Sequence, residues 1–172
     1  MSKLEMQQCV LGQVFTNCYF LKNKETGELL IVDPGDYAEK VFQKVSLMQG
    51  KPVGILLTHG HFDHIMAVKK VKEKYQIPVY ACRQEEAMLA EPTINMTAVY
   101  GSACSIKPDV LLDDGQIFER PDFPFRCSTH RDIPKEVAAI ISKTRVCFSA
   151  EIHCFAALWE EPIFLAEVLL RS

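Results

Sequence analysis

No stretch of this chain approaches the ~18 consecutive apolar residues that a membrane-spanning helix requires. The opening segment from Met1 to Gln8 carries no apolar core of the kind a signal peptide needs. Together these absences lead to the expectation of a cytoplasmic protein without a membrane partner. A basic excess is missing too. Lys and Arg number 19 against 22 Asp and Glu, a formal charge of -3, which leaves no electrostatic reason to expect a nucleic-acid partner. There is no CxxC pair, and the seven cysteines (Cys9, Cys18, Cys82, Cys104, Cys127, Cys147, Cys154) are odd in number and scattered. That pattern argues against a disulfide framework and against a cysteine-rich zinc module, and the thiols are read as buried and free. No internal repeat or low-complexity tract interrupts the chain.

What is present fits one soluble globular domain over residues 1–172: 48% of residues are apolar and 24% charged. Cys9 to Phe15 and Asn17 to Leu21 read as two short strands joined tightly, and Leu29 to Asp33 as a third. Pro34-Gly35 then breaks the chain. Ala38, Val41, Val45 and Met48 recur at helical spacing, and Gly50-Lys51-Pro52 ends that helix. Val53-Gly54-Ile55-Leu56-Leu57 is a continuous apolar run of strand length, as expected of a strand covered on both faces. A helix through Val68, Val71 and Tyr75, a strand over Ile77 to Ala81 and a short helix from Glu85 to Leu89 follow. Alternating strands and helices predict an α/β architecture.

The chemistry is concentrated in Thr58-His59-Gly60-His61-Phe62-Asp63-His64. Four ligand-type side chains fall within six residues at the C-terminal end of a buried strand, the end where α/β sheets collect their sites. A spacing of two places His59 and His61 on one side if the backbone is still extended, and Gly60 allows a sharp turn. Imidazoles and a carboxylate suit zinc and other first-row divalent ions. Asp63 and His64, beyond the turn, make a second ion geometrically feasible. Polar loop residues that merely cap the next helix are the bland alternative, and three histidines and an aspartate in HxHxDH order argue against it.

HxHxDH after a buried strand, preceded by Asp33-Pro34-Gly35, resembles the metallo-β-lactamase superfamily. Val14-Phe15-Thr16-Asn17-Cys18-Tyr19 and Asp113-Asp114-Gly115-Gln116 resemble its small glyoxalase-II-like hydrolases. The likeness covers about 7–127 and 142–149. It implies a four-layer αβ/βα sandwich with the metal site at one edge of two sheets. It further implies that His59 and His61 hold a first ion, and Asp63 and His64 a second. Zinc is the ion implied first, as one or two ions, with iron or manganese as alternatives. The implied reaction is hydrolysis of a small-molecule thioester or ester, an acyl-glutathione-type thioester first, through a metal-bound hydroxide that the catalytic Asp63 orients.

The resemblance breaks at 128–141 and 150–165. The family completes its site with a Thr-Pro-Gly-His-Thr turn, a Ser-Gly-Asp aspartate and a last histidine near its C-terminus. In this chain Ser128 to Val137 and Ala150 to Phe155 stand there instead, and the chain ends at Ser172 before the last ligand. Regrouping the possible codons in one shifted frame yields both missing motifs in order, so the two segments are read as out-of-frame products of an ordinary family gene. His130 lies two positions before the family histidine's place, Asp132 occupies that place, and Glu151 stands where the bridging aspartate would be. None of these, nor His153, is assigned as a ligand. Two functions follow as expectations: a metal-dependent thioester or ester hydrolase, or a catalytically impaired remnant with a partial metal site.

Overall fold

The computed structural model describes residues 4–126 apart from 101, 115, 121 and 122, with side chains described through residue 116. Contacts divide the chain into two compact units, Met1–Leu112 and Asp113–Ser172. In the first, strands β1 (Leu4–Leu11), β2 (Thr16–Asn23), β3 (Glu28–Val32), β4 (Lys51–Leu57), β5 (Val79–Cys82) and β6 (Val110–Leu112) form a six-stranded sheet in sequence order. β1 pairs with β2 and β2 with β3 antiparallel; β3, β4, β5 and β6 run parallel to one another. Parallel neighbours need crossovers. Helix α1 (Ala38–Leu47) joins β3 to β4, and α2 (Phe62–Ile65) with α3 (Val68–Tyr75) joins β4 to β5. After a 3-10 turn at Arg83–Glu85 come α4 (Glu86–Ala90) and α5 (Thr97–Tyr100). In the second unit β7 (Ile117–Arg120) and β8 (Phe123–Arg126) pair antiparallel. The α/β fold class is as expected. Among the described residues no helix is long and apolar enough to cross a membrane.

The core follows from the two periodicities of the sequence. Cys18 and Phe20 on β2, Leu29 and Ile31 on β3, Ile55 and Leu57 on β4, and Val79 and Ala81 on β5 alternate along their strands. They pack against Ala38, Val41 and Val45 of α1 and Val68 and Val71 of α3. The intervening residues Tyr19, Leu21, Leu30, Val32, Leu56 and Tyr80 are buried as well, which is why β4 reads as an unbroken apolar run. Helix α1 stops by backbone geometry: Gln49 turns left-handed at φ 49°, Gly50 N–H reaches Val45 O at 3.2 Å and Gln49 N–H reaches Ser46 O at 3.0 Å, a Schellman closure.

Several boundaries differ from the sequence reading. The first strand runs from Leu4 to Leu11, and Gly12 to Phe15 form the turn, with Gly12 and Phe15 both at positive φ. Lys51 and Pro52 belong to β4, where the register shifts between Leu29 and Leu30 of β3. Proline is tolerated near the start of a strand and at an irregularity, where no ladder bond asks for its missing N–H. The last of the three early strands ends at Val32, because Asp33 turns to φ 49°. Cys18 is buried, but Cys9, Cys82 and Cys104 are each partly exposed, so burial holds for one of the four described thiols; Cys127, Cys147 and Cys154 lie outside the described residues.

The Pro34-Gly35 turn is pressed against the start of the histidine loop's helix. A Cβ at Gly35 would fall 1.7 Å from the Asp63 carbonyl oxygen and 2.8 Å from its carbon. Neither backbone can yield without moving β3 or α2. We expect Gly35→Ala to cost roughly 2–4 kcal/mol of folding stability. Gly27→Ala is the control: it sits at φ +74° with nothing within 4 Å, and should cost only about 1 kcal/mol for its left-handed backbone. Equal losses for the two variants in urea unfolding would show that the Gly35 contact is not real.

Candidate metal centre

The strand-turn-helix segment that follows β4 carries all four expected ligand residues. Thr58, His59, Gly60 and His61 form the turn, and Asp63 and His64 lie in α2. The turn is held from three sides. Gly60 N–H donates to Glu85 Oε2 at 2.9 Å, and Phe62 N–H donates to the Asn95 carbonyl at 2.8 Å. A Cβ at Gly60 would stand 2.9 Å from Met88 Cγ and 3.2 Å from the Leu89 backbone nitrogen, so only glycine lets α4 approach this closely. Below the turn, Ala67 N–H donates to the Pro34 carbonyl at 3.0 Å.

Asp33, fully buried at the end of β3, organises the rings. Its Oδ1 accepts the Thr58 N–H at 2.9 Å and its Oδ2 accepts the Thr58 hydroxyl at 2.5 Å. Thr58 has spent its one proton there, so its 3.1 Å contact with His59 Nδ1 requires the ring nitrogen to carry the hydrogen. In the neutral ring the lone pair then sits on His59 Nε2, a buried atom with no hydrogen-bond partner in the described structure. Burial, followed by the neighbouring His64, pushes the His59 pKa down to about 4, so the ring is neutral near pH 7.

His64 lies between two carboxylates. Asp33 Oδ2 is 2.9 Å from its Nδ1 and Asp63 Oδ2 is 3.3 Å from its Nε2. Asp63 Oδ2 also accepts the Thr16 hydroxyl at 2.6 Å. Burial pushes the Asp63 carboxyl up, but the bond and charge of His64 and the Thr16 hydroxyl outweigh it and hold Asp63 well below the usual carboxylate range.

The structure therefore brings the four residues together. His59 and His61 ring centroids are 5.0 Å apart, and His59 and His64 centroids 3.8 Å apart. Two imidazoles, a third between carboxylates and an ionised aspartate are the donor types of a zinc or iron site, and the orphaned His59 Nε2 is the atom such an ion would take. The residues fit the group in kind. They do not close it. Among the described residues no group of three or more His, Cys, Asp or Glu side chains is arranged to hold an ion by itself. His130, Asp132, Glu151 and His153 lie outside the described residues.

Asp33, Thr58, Thr16, Glu85 and Asn95 were not singled out as site residues by sequence reasoning. Asp33, Thr16 and Thr58 lie inside the sequence motifs, and an aspartate closing a buried apolar strand is the available signal. Nothing in the sequence marked Glu85 or Asn95.

The depressed His59 pKa makes a pH test available. In the unfolded chain the ring titrates near its ordinary value of 6.5, and in the fold near 4, so the unfolded state binds more protons between these values. Stability from neutral His59 is full above about pH 6.5 and is lost as pH falls toward about 4. In chelator-treated protein the urea midpoint should drop across that interval, and His59→Gln should flatten the drop. An unchanged slope in the variant would refute the burial of a neutral His59.

A family model described as the metallo-beta-lactamase superfamily matches residues 11–131, well over half of the chain. An uncharacterized protein of Aquifex aeolicus is 32% identical over 117 residues, 67% of this chain and 54% of that one. The probable metallo-hydrolase YqgX of Bacillus subtilis is 36% identical over 117 residues, 66% and 54% of the two chains. The chain thus spans about half the length of these curated relatives. Among solved structures, the BLEG-1 B3 metallo-beta-lactamase superposes with a TM-score of 0.65 at 36% identity, covering 71% of this chain and 59% of that one. TTHA1623, in a di-iron-bound form, superposes with a TM-score of 0.58 at 27% identity, covering 70% and 60%. On the matched residues, the sheet and the histidine turn, the chain belongs to the metallo-beta-lactamase superfamily.

Proposed function

We propose that this chain carries the front half of the metal site of a hydrolase acting on thioesters or esters, with an acyl-glutathione-type thioester as the first substrate to test. The observation that carries the proposal is the buried, unpartnered His59 Nε2 beside His61, Asp63 and His64. His59 and His61 would hold one divalent ion, and Asp63 and His64 a second. Zinc is favoured by the nitrogen-rich donor set, with iron or manganese as alternatives. When bound, such ions polarise a carbonyl and lower the pKa of coordinated water. The chain's own part is orientation. Asp33 and Thr58 hold His59 with its lone pair on Nε2, and Thr16 and His64 hold Asp63 as a carboxylate that accepts and passes a proton.

A second reading, an impaired remnant with a partial site, has its own support. The four described donors supply two per ion, fewer than the three or four protein ligands a zinc centre uses, and the family match ends at residue 131. That boundary falls inside 128–141, where the sequence reading places its first out-of-frame segment. The two readings differ in what the purified 172-residue protein should do.

Under both, His59→Ala or His61→Ala should lower zinc affinity by at least about tenfold, while Cys82→Ala and Cys104→Ala should leave it unchanged. Loss of metal in either cysteine variant would mean that the ligand set is wrong. Turnover separates the readings. The chain as it stands should hydrolyse an acyl-glutathione thioester weakly or not at all. Restoring Thr-Pro-Gly-His-Thr and Gly-Asp-Thr-Leu-Phe at the shifted segments, with a family-like C-terminus, should raise the rate by orders of magnitude. A rate of roughly 1–1000 per second from the unmodified chain would refute both the out-of-frame reading and the remnant.

A further inference from the structure

The ladder between β1 and β2 sets Cys9 directly opposite Cys18. Residues directly opposite on an antiparallel pair have Cα atoms about 4.5–5.5 Å apart and side chains on the same face. That spacing falls inside the roughly 4.4–6.8 Å that a disulfide spans, so a bridge between the two is within reach of the paired strands. The environments of the thiols differ in a useful way. Cys18 is fully buried among the core residues, whereas Cys9 stands on the edge strand and is only half-buried against that core. Cys9 is thus the more accessible of the two thiols, and Cys18 is closed off from solvent.

Cys9 and Cys18 face each other across the ladder, and the neighbouring Cys18 thiol, with the charges of Lys44 and Lys40 on α1, outweighs burial and lowers the Cys9 pKa. Burial first, and then Cys9 itself, hold Cys18 protonated. An accessible sulfur with thiolate character next to a buried resolving thiol is the arrangement of a peroxide-reactive cysteine. Cys82, the other strand cysteine among the described residues, is paired with Leu112 and faces no thiol in the ladder.

We propose that Cys9 and Cys18 are a reversible redox modification site that a hydroperoxide closes into a cross-strand disulfide. The Cys9 thiolate attacks the O–O bond, forming a sulfenic acid; the leaving alkoxide or hydroxide takes up a proton and departs as alcohol or water. The Cys18 sulfur then attacks the Cys9 sulfur, and its proton leaves with the sulfenic hydroxyl as water. Two thiols are oxidised by two electrons and one hydroperoxide is reduced. A small-molecule dithiol reverses the bridge by exchange. The site needs no metal and does not rest on the proposed hydrolase function.

The test uses the reduced, chelator-treated 172-residue protein and one equivalent of hydrogen peroxide, followed by alkylation, digestion and mass spectrometry. A Cys9–Cys18 linked peptide should dominate and disappear on treatment with dithiothreitol, while Cys82 and Cys104 are recovered alkylated. In Cys18→Ala the Cys9 sulfenic acid should persist and be captured by dimedone. With Lys40→Gln and Lys44→Gln combined, bridge formation should slow several-fold. Recovery of Cys9 and Cys18 as free thiols while other cysteines oxidise, or linkage of Cys9 to a different cysteine, would overturn the proposal. The wild-type peptide map decides the matter even if Cys18→Ala does not fold.

Discussion

A single carboxylate, that of Asp33, ties the sheet to the histidine turn. A buried carboxylate is tolerated only when its lone pairs are met by donors, since leaving it unpaired costs several kcal/mol. Here the backbone N–H and the hydroxyl of Thr58 approach at 2.9 and 2.5 Å, and His64 Nδ1 stands at 2.9 Å. Thr58 closes β4, Asp33 follows β3, and His64 lies in α2, so one side chain links two parallel strand ends and the helix beyond them. The Asp33 N–H, donated to the Leu56 carbonyl at 3.0 Å, fixes the carboxylate's own position. The left-handed backbone of Asp33 and the tight Gly35 approach to Asp63 follow from the same demand: the chain must turn sharply after β3 to bring its carboxylate under the histidines.

That arrangement explains what the sequence disclosed and what it hid. The apolar run Val53 to Leu57 identified β4 because both of its faces are buried, and HxHxDH marked the candidate ligands because all four lie within six residues. Contiguity is what a local pattern can display. Glu85 and Asn95 hold the turn from 25 and 33 residues or more away along the chain, counted from Gly60 and Phe62; such partners leave no local period. Thr16 reaches Asp63 across 47 residues for the same reason. The boundary errors are of another kind. Apolar residues suggested that β1 continued to Phe15, yet Val14 and Phe15 are exposed in the hairpin turn, and composition alone does not tell an exposed apolar tip from a strand.

The site also shows why a contiguous segment supplies only part of a metal cage. One strand end, one turn and one helical turn can point four side chains toward a small volume, but all approach from one side. An ion in that volume needs donors from the opposite side to complete a tetrahedron, and those must come from residues distant in the sequence, at the cost of closing a long loop. Among the described residues, the six-stranded sheet, its core and the Asp33–Thr58 pair that orients the rings all lie in the unit ending at Leu112.

His64 makes the dependence on a cation concrete. With Asp33 against Nδ1, that nitrogen carries a proton, and the remaining nitrogen faces the Asp63 carboxylate at 3.3 Å. A bare lone pair opposite a carboxylate oxygen is repulsive, so positive charge belongs between them, either as a proton on Nε2 or as a metal ion shared by both groups. The His64–Asp63 contact is thus the place where either cation would sit. Two donors bound to one ion by bonds of roughly 2.0–2.2 Å would stand no more than about 4 Å apart, so the 3.3 Å between Nε2 and Oδ2 would suit either occupant. Asp33 is held by Thr58 as well as by His64, so its position does not depend on which cation would lie between His64 and Asp63.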